Sequence, residues 1–209
     1  MSTLHFILSF VFAYLLGSIP FGYVLGRGFY HKNLLIEGSG NIGTTNTFRV
    51  LGPTAGFLTF VLDSLKGTAA TLMGVIWGPL PVHWWLLIFG LAGIIGHTFS
   101  IWIGFRGGKA VATSFGMLIA YAPVLSLEAL LIFLTLIFLT SMVSVASIFG
   151  FILVTILTLF MGDWFLFGLA LILTIFVIYR HRGNIKRIRR GKESLVPFGL
   201  VYWSQHKRK

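Results

Sequence analysis

The chain has no cysteine and few charged residues. Only 10% of its 209 residues are Asp, Glu, Lys or Arg, whereas soluble globular domains carry about 25%. Without cysteine the chain cannot form a disulfide, a thiolate zinc site or a cysteine nucleophile. Hydrophobic residues make up 56%, and the mean hydropathy is +0.92. Because so few charges cannot cover a water-facing surface, the sequence predicts an integral membrane protein with one membrane domain over residues 1–209.

Acidic residues are especially scarce, and the basic residues are unevenly placed. The five Asp and Glu residues form no ligand cluster, so we expect no metal site and no other cofactor. The 16 Lys and Arg residues lie in three clusters, four within 27–66, two within 106–109 and ten within 180–209. Nucleic-acid binding would also suit a basic tail. Basic ends on a hydrophobic core are more typical of a cytoplasmic membrane face, where we place the C-terminus.

Long hydrophobic segments predict membrane-spanning helices. A span needs about 20 apolar residues, with roughly 17 as the lower end. The first three candidates are Leu4–Leu25, a segment within Thr54–Trp77, and Trp84–Ile103. Since Met1–Ser9 contains no Lys or Arg, we expect Leu4–Leu25 to be a retained span and not a signal peptide.

Residues 110–179 contain no Lys or Arg and are flanked by Lys109 and Arg180. Both flanks belong inside under the positive-inside rule, so the number of spans between them must be even. Four short spans fit if the helices break near Ala122-Pro123, Ser141 and Gly162-Asp163. The predicted fold is therefore all-α, with seven transmembrane helices, the N-terminus outside and the C-terminus in the cytoplasm.

The loop between the first two predicted spans is rich in small and polar residues. Gly38, Gly40 and Gly43 free the backbone for turns that direct several N–H groups to one point. Arg49 adds a planar cation. The uncharged hydrogen-bonding side chains of this loop are Ser39, Asn41, Thr44, Thr45 and Asn46. A flexible linker is the alternative interpretation, but we favour a metal-free phosphate site.

A second glycine-rich loop leads into the fourth predicted span. Gly107 and Gly108 precede Lys109 at a helix start, which combines backbone donors, the positive end of the helix dipole and an ammonium group. The spacing is not that of a Walker A loop, and Ala110 stands where that motif has Ser or Thr. We interpret the loop as an anion site. The alternative is a basic helix end anchored at lipid headgroups.

Three further polar features carry less information by themselves. His181 and Asn184 share a face if the last span continues as a helix. Asp63 and Lys66 are also three residues apart and can pair, either for function or as a structural pin. His97 is interpreted as a packing histidine near the inner end of the third span.

Taken together, these motifs resemble those of the bacterial acyl-phosphate:glycerol-3-phosphate acyltransferase family (PlsY). They cover nearly the whole chain and read GSIPFGY, GSGNIGTTNTFRVLG, LDSLKG, GHTF with FRGGKAVAT, VSVAS and HRGNIKR. The resemblance implies transfer of a fatty acyl group from acyl phosphate to the 1-hydroxyl of sn-glycerol 3-phosphate. The products would be lysophosphatidic acid and inorganic phosphate, in the first step of phospholipid synthesis. It also implies a multi-pass protein of the bacterial plasma membrane, with its active site facing the cytoplasm.

The resemblance also implies roles for individual residues. The expected catalytic residues are Ser39, Arg49, Lys109, His181 and Asn184. The expected substrate-binding residues are Gly38, Gly40, Asn41, Gly43, Thr45, Asn46, Gly107, Gly108, Thr113, Ser144, Val145 and Ser147, of which Gly107 and Gly108 form with Lys109 the family's glycerol-phosphate loop. Structural roles are expected for Asp63, Lys66 and Glu193. The expected partners are the two substrates, membrane lipid and other phospholipid-synthesis enzymes, and not nucleic acid.

Four positions depart from the pattern expected of the family. Proline is expected at Ser100, glycine at Ala110, a basic residue at Ser141 and glutamate at Gly183. None of these departures removes a motif. They bear on the details of substrate binding and not on the activity itself.

The donor implied by the resemblance limits what the protein must do. An acyl phosphate is already an activated anhydride, so the enzyme needs only to hold two anions, stabilise the oxyanion and accept a proton. No histidine has an acidic residue five positions later, so the HxxxxD pair of other glycerolipid acyltransferases is absent. A phosphate monoester has a second pKa of about 6, and we expect the donor phosphate to take the proton. A small transporter or flippase for an organic phosphate is the alternative function, although transporters usually bind near the bilayer midplane.

The distribution of Lys and Arg gives a testable topology. Residues 27–52, 104–109 and 180–209 are expected to face the cytoplasm, and residues 78–83 and 162–163 the outside. Because the chain has no native cysteine, a single Asn33→Cys substitution gives a unique label site. An impermeant thiol reagent should label it only after the cells are permeabilised. Labelling from outside intact cells would contradict the topology.

Overall fold

The computed structural model describes residues 1–206. Their regular secondary structure is helical, apart from an isolated β-bridge between Ser100 and Arg106. The helices are α1 Thr3–Ser18, α2 Phe21–Phe29, α3 Thr44–Leu51, α4 Pro53–Leu72, α5 Trp85–Thr98, α6 Val111–Tyr121, α7 Pro123–Thr140, α8 Val143–Leu159, α9 Trp164–Arg180, α10 Arg182–Arg189 and α11 Leu200–His206. They form two compact units, Met1–Pro123 and the described residues from Val124 onward. The last three basic residues of the tail, 207–209, lie outside the described residues.

Small residues set the helix packing of the first unit. Helix α1 packs against α5, and a Cβ atom added to Gly17 would overlap the backbone of Gly93. Helix α4 packs against α6, where a Cβ atom on Gly67 would overlap the carbonyl group of Thr113. Glycine permits such close backbone approach, which favours helix association in lipid through van der Waals contact. As a result, α4 lies directly against the helix that begins at the second glycine-rich loop.

In the second unit, the segment after α10 is held at the junction of α7 and α8. Helix α8 packs against α9, and the hydroxyl groups of Thr155 and Thr174 are 2.7 Å apart. At the junction, Ser141 has a φ of 56° and is fully buried. Its carbonyl accepts the N–H of Val196 at 2.8 Å, and its hydroxyl accepts the N–H of Tyr202 at 3.0 Å. Ser141, which departs from the basic residue expected at this position, therefore binds the C-terminal segment.

The three predicted helix breaks are confirmed. Helix α6 ends just before Pro123, which occupies the first position of α7, where proline is well tolerated. Ser141 separates α7 from α8, and Asp163 lies between α8 and α9. The Asp163 Oδ1 atom accepts the N–H of Leu166 at 2.9 Å, an N-cap that satisfies one free donor of α9.

One predicted span is interrupted, and the last predicted span is followed by a bend. The first span, predicted over Leu4–Leu25, breaks at Ile19-Pro20, where α1 and α2 meet with a 44° bend, because proline has no N–H to continue the helix. The last span ends at Arg180, and α10 begins after a bend of 55°. His181 lies at this second junction.

Length and composition identify fewer spans than the seven predicted. Helix α7, with 18 residues, is the described helix that is long and apolar enough to cross a membrane by itself. The count rises to three if each bent pair, α1 with α2 and α9 with α10, forms one span. Helices α5, α6 and α8 are apolar but have between 11 and 17 residues. Short helices of this kind can be tilted, or sheltered by their neighbours.

Candidate active site

The first glycine-rich loop is organised by the buried side chain of Asn46, on α3. Its Oδ1 atom accepts the Ser39 N–H at 2.8 Å and an Arg49 Nη1 hydrogen at 3.2 Å. Its Nδ2 atom donates to the Glu37 carbonyl at 3.0 Å and to the Leu34 carbonyl at 3.4 Å. An amide has two hydrogens and two oxygen lone pairs, so these contacts use its full hydrogen-bonding capacity. Asn46, predicted to bind substrate, therefore shapes the loop and orients Arg49.

Tight contacts around Asn46 explain the glycine at position 38. Gly38 has a φ of +61°, and a Cβ atom there would overlap the Asn46 Oδ1 atom. Only glycine adopts this positive φ without strain and leaves room for the Asn46 side chain, because it has no Cβ atom. Ser39, Gly40 and Arg49 are exposed, while Asn41, Gly43 and Thr45 are half-buried. The loop thus presents its backbone and the Arg49 side chain on an accessible surface.

Asn41 joins the two predicted loops. Its Nδ2 atom donates to the Gly107 carbonyl at 3.4 Å, and its Oδ1 atom accepts the Gly43 N–H at 2.9 Å. Both loops belong to the first unit. The structure therefore brings together two segments that lie 66 residues apart in the sequence.

The second loop enters α6 through a left-handed turn. Ala110 has a φ of +69° and precedes the first residue of α6, a left-handed conformation that favours the glycine expected at this position. Lys109 is half-buried next to it. Thr113, in the first turn, is fully buried, and its Oγ1 atom has no hydrogen-bond partner among the described residues. A loop lysine, the N–H groups of a helix start and a buried hydroxyl group are thus grouped at one helix end, which suits an anion.

The predicted pairing of Asp63 with Lys66 is confirmed. The Lys66 Nζ atom lies 2.7 Å from Asp63 Oδ1 and donates to the Ile19 carbonyl at 2.6 Å. That carbonyl belongs to the break between α1 and α2. The Phe21 ring centroid is 5.6 Å from the same ammonium group. His97, interpreted from sequence as a packing residue, also faces Asp63 and lies under the second loop. In the sequence, the only indication that His97 lies beside this loop is the GHTF motif, which stands just before FRGGKAVAT.

In the second unit, Glu193 gathers the polar residues of the third motif. Its Oε1 atom accepts hydrogen bonds from Asn184 Nδ2 at 2.6 Å and Ser144 Oγ at 2.9 Å. Its Oε2 atom accepts the Arg187 Nε–H at 2.7 Å. The Glu193 side chain is 2% exposed. Glu193, expected to be structural, thus fixes the Asn184 amide with its nitrogen toward the carboxylate.

His181 is held at the junction between α9 and α10. Its side chain is 4% exposed, and Nδ1 lies 2.8 Å from the Val177 carbonyl oxygen. Only a protonated nitrogen can donate to a carbonyl, so this contact assigns the ring hydrogen to Nδ1.

Two further residues that were predicted to bind substrate lie on α8. Ser147 is buried, and its hydroxyl donates to the Val143 carbonyl at 2.8 Å, while Val145 is half-buried.

The ionisation of Glu193 reflects two opposing effects. Burial by itself would raise the pKa of Glu193. The hydrogen bonds from Asn184, Arg187 and Ser144, together with the positive charge of Arg187, outweigh burial and hold that pKa below its usual value. Glu193 is therefore ionised at neutral pH and complements the Arg187 charge.

No group of three or more His, Cys, Asp or Glu side chains within residues 1–206 is arranged to hold a metal ion. The polar chemistry of both units is instead built from Lys, Arg, His and Asn side chains and from backbone amides. These groups are suited to binding anions.

Sequence comparison finds relatives along almost the entire chain. A family model described as glycerol-3-phosphate acyltransferase matches residues 7–191. The chain is 50% identical over 202 residues to a glycerol-3-phosphate acyltransferase of Lacticaseibacillus casei, covering 96% of this chain and 97% of that protein. It is also 50% identical over 195 residues to one of Listeria monocytogenes, covering 93% and 98%.

Structural comparison agrees. A crystal structure of PlsY, an integral membrane glycerol 3-phosphate acyltransferase in its glycerol 3-phosphate form, matches with a TM-score of 0.84 and 37% identity, covering 91% of this chain and 95% of that one. Its lysophosphatidic acid form matches with a TM-score of 0.79 and 38% identity, covering 91% and 94%. The all-helical fold is thus that of an integral membrane acyltransferase. The chain belongs to the glycerol-3-phosphate acyltransferase family that includes PlsY.

The hydrogen bonds of Glu193 predict a pH-dependent contribution to stability. Because its pKa is lower in the folded protein than in the unfolded chain, ionised Glu193 stabilises the fold above its usual pKa of 4.5. That stabilisation is lost as the pH falls through the lower, folded-state value. Glu193→Gln should therefore lower the melting temperature of the purified protein at about pH 7, and the difference from wild type should shrink below about pH 4.5.

The matched control is Glu128→Gln, which changes an exposed glutamate on α7. This substitution should leave the melting temperature nearly unchanged across the same pH range. A Glu193→Gln difference that is independent of pH would contradict the assigned role of the carboxylate.

Proposed function

We propose that this protein transfers a fatty acyl group from acyl phosphate to the 1-hydroxyl of sn-glycerol 3-phosphate, releasing lysophosphatidic acid and inorganic phosphate. The contact that carries the proposal is the hydrogen bond from Asn41 to Gly107, which unites the two glycine-rich loops. A reaction between two anionic substrates requires two anion sites close together. The titles of the related PlsY structures name glycerol 3-phosphate and lysophosphatidic acid, which are the proposed acceptor and product.

The proposed roles in the first unit follow from charge and accessibility. Lys109 and the N–H groups at the start of α6 bind the phosphate of glycerol 3-phosphate, because they concentrate positive potential at one point. Arg49, oriented by Asn46, and the backbone around Ser39 bind the phosphate of the acyl donor. Thr113 contributes its buried hydroxyl. The half-buried position of Lys109 favours a strong, charge-assisted contact with phosphate.

In the second unit, His181 and Asn184 are proposed to position phosphate. Glu193 and Ser144 hold the Asn184 amide in one orientation. The Val177 carbonyl holds the His181 ring. Both side chains are therefore fixed before substrate binds, and this preorganisation reduces the reorganisation required in the transition state.

The donor phosphate is proposed to accept the proton of the attacking hydroxyl. The hydroxyl oxygen attacks the acyl carbon, the bond from that carbon to the phosphate oxygen breaks, and the departing phosphate carries the proton away. A phosphate with a pKa of about 6 is a competent base at neutral pH. His181, whose Nδ1 atom lies 2.8 Å from the Val177 carbonyl oxygen, positions phosphate in this account.

The proposed setting is the bacterial plasma membrane, as one polytopic domain over residues 1–209. Seven spans, with the N-terminus outside and both loops and the tail in the cytoplasm, agree with the Lys and Arg distribution. Both substrates are then bound on the cytoplasmic side, and the acyl chain remains in the membrane. Other enzymes of phospholipid synthesis are the proposed partners.

A transporter of organic phosphate is not favoured. Asp63 and Lys66 were the residues that suggested a transport pathway. They pair with each other, and Lys66 is further bound to the Ile19 carbonyl. Charges that neutralise one another within the packing of the first unit do not provide a site for a transported anion.

Replacing Lys109 or Arg49 with alanine should remove most activity while the protein still inserts and folds. A charge-assisted phosphate contact is worth about 1.5–3 kcal/mol, equivalent to roughly one to two decades in kcat/KM. Lys109→Arg should restore activity only partly, because a planar fork does not replace a point charge in a tight loop. Steady-state kinetics of the purified variants measures both effects.

Arg106→Ala is the matched control, because Arg106 is an exposed basic residue of the same loop. It should reduce activity much less than Lys109→Ala. Near-normal turnover and KM for both substrates in Lys109→Ala would show that the loop is only a headgroup anchor.

The pH dependence of His181 variants separates the two possible bases. His181→Ala should impair activity, whereas His181→Asn or Gln, which still donate a hydrogen bond, should keep part of it. If the donor phosphate is the base, the pH–rate profile of the Asn variant should keep its limb near neutral pH, since the titrating group belongs to the substrate. Loss of that limb in the Asn variant would instead make His181 the general base.

A further inference from the structure

Asp63, Lys66 and His97 form a buried polar group inside the first unit. Their side chains are between 2% and 4% exposed. The His97 Nδ1 atom lies 3.7 Å from Asp63 Oδ1, and the Lys66 Nζ atom lies 2.7 Å from that same oxygen. The charges of Asp63 and Lys66 already neutralise each other without the imidazole. Charge balance therefore does not explain why a histidine from α5 also faces the Asp63 carboxylate.

The other side of the His97 ring faces the second glycine-rich loop. A Cβ atom added to Gly108 would overlap Nε2 and lie 2.6 Å from Cε1. The Gly108 N–H also donates to the His97 carbonyl at 3.1 Å. A Cβ atom on Gly107 would overlap the carbonyl oxygens of His97 and Thr98. The loop thus rests on His97 through both the ring and the main chain, and position 108 has room only for glycine.

We infer that His97 is a positioning residue, which supports the Gly107–Lys109 loop in the conformation that binds the phosphate of glycerol 3-phosphate. The inference rests on the proposed function, because it takes that phosphate as the ligand of the loop. The Asp63 carboxylate faces the Nδ1 side of the ring at 3.7 Å, and Lys66 neutralises the charge that Asp63 would otherwise leave buried. The opposite edge of the ring packs against Gly108 and so fixes the position of the backbone next to Lys109.

This arrangement explains why a charged pair is kept inside the packing between helices. A buried ion pair is weak evidence for stability, since desolvation offsets much of its Coulomb energy. Asp63 has a second contact here, because its Oδ1 atom also faces the buried His97 ring from α5. Residues that hold a binding loop within a fraction of an ångström act on ligand affinity without touching the ligand.

The test uses His97→Ala and His97→Gln in the full-length protein purified in detergent. His97→Ala should raise the KM for glycerol 3-phosphate about tenfold, because the Gly108 backbone loses the ring against which it packs. The KM for acyl phosphate should change less than about twofold. His97→Gln, which keeps a polar group of similar reach, should restore most of the loss. Equilibrium binding of glycerol 3-phosphate, measured by calorimetry without a donor, should weaken in parallel.

His83→Ala is the matched control. His83 belongs to the same unit, is exposed and contacts the Tyr121 carbonyl at 3.2 Å. It should leave both KM values unchanged. His97→Ala could instead lower kcat, raise both KM values by similar factors and lower the melting temperature. That result would make His97 a packing residue and overturn the inference. An unchanged KM for glycerol 3-phosphate would also overturn it.

The contact with Gly108 gives a second test. In wild type, Gly108→Ala should weaken glycerol 3-phosphate binding because the new methyl group collides with the imidazole. In the His97→Ala background the methyl group has room, so the same substitution should cost clearly less. Additive effects would mean that the ring does not support the loop. If His97→Ala fails to insert, His97→Asn, whose polar side chain is shorter than the ring, carries the test: it supports the inference if only the KM for glycerol 3-phosphate rises, and overturns it otherwise.

Failure of the proposed function is distinguishable from failure of this inference. A wild-type protein that binds glycerol 3-phosphate but does not use acyl phosphate would contradict the proposed donor. The calorimetric effect of His97→Ala would still be measurable in that case. A wild-type protein with full activity and no response to the His97 variants would contradict the inference alone.

Discussion

A single ion pair between neighbouring turns of α4 connects the packing of the first unit to its candidate site. Lys66 reaches the Ile19 carbonyl at the proline break of the first helix and binds Asp63 at 2.7 Å. Asp63 in turn faces His97, on which Gly108 rests. The break, the ion pair and the loop are therefore parts of one chain of contacts. An apolar substitution at Lys66 would leave a carboxylate buried without its cation, a costly state in a low dielectric.

The two units orient polar side chains by the same means. In each, one buried side chain satisfies several polar neighbours: Asn46 in the first loop, and Glu193 at the end of α10. Arg49 and Asn184, which are proposed to bind the substrates, are oriented by these two side chains. With the proposed acyl-phosphate donor, which is already activated, the reaction needs no covalent intermediate. The proposed task of the site is to bring two anions together and to stabilise the charge that develops as they react.

The sequence was most informative where one local rule decides the structure. Breaks at Pro123, Ser141 and Asp163, and the pairing of Asp63 with Lys66, were all predicted. The interruption at Pro20 was missed because the surrounding apolar run outweighed one proline. Asn46 was expected to bind substrate, and its use as a loop anchor depends on carbonyls nine and twelve residues away. The contact between His97 and Gly108 depends on tertiary folding, which no local pattern encodes.

The central claim concerns the donor, and it is tested most directly with purified protein in detergent, where transport across a membrane is impossible. Acyl phosphate and glycerol 3-phosphate should give lysophosphatidic acid and inorganic phosphate in equal amounts, while acyl-CoA and acyl-carrier protein should be nearly inert. The reason is chemical: the chain has no cysteine and no HxxxxD pair to activate a thioester, but has two adjoining loops that are proposed to bind anions. Efficient turnover with acyl-CoA, or no acyl transfer from acyl phosphate, would contradict the account.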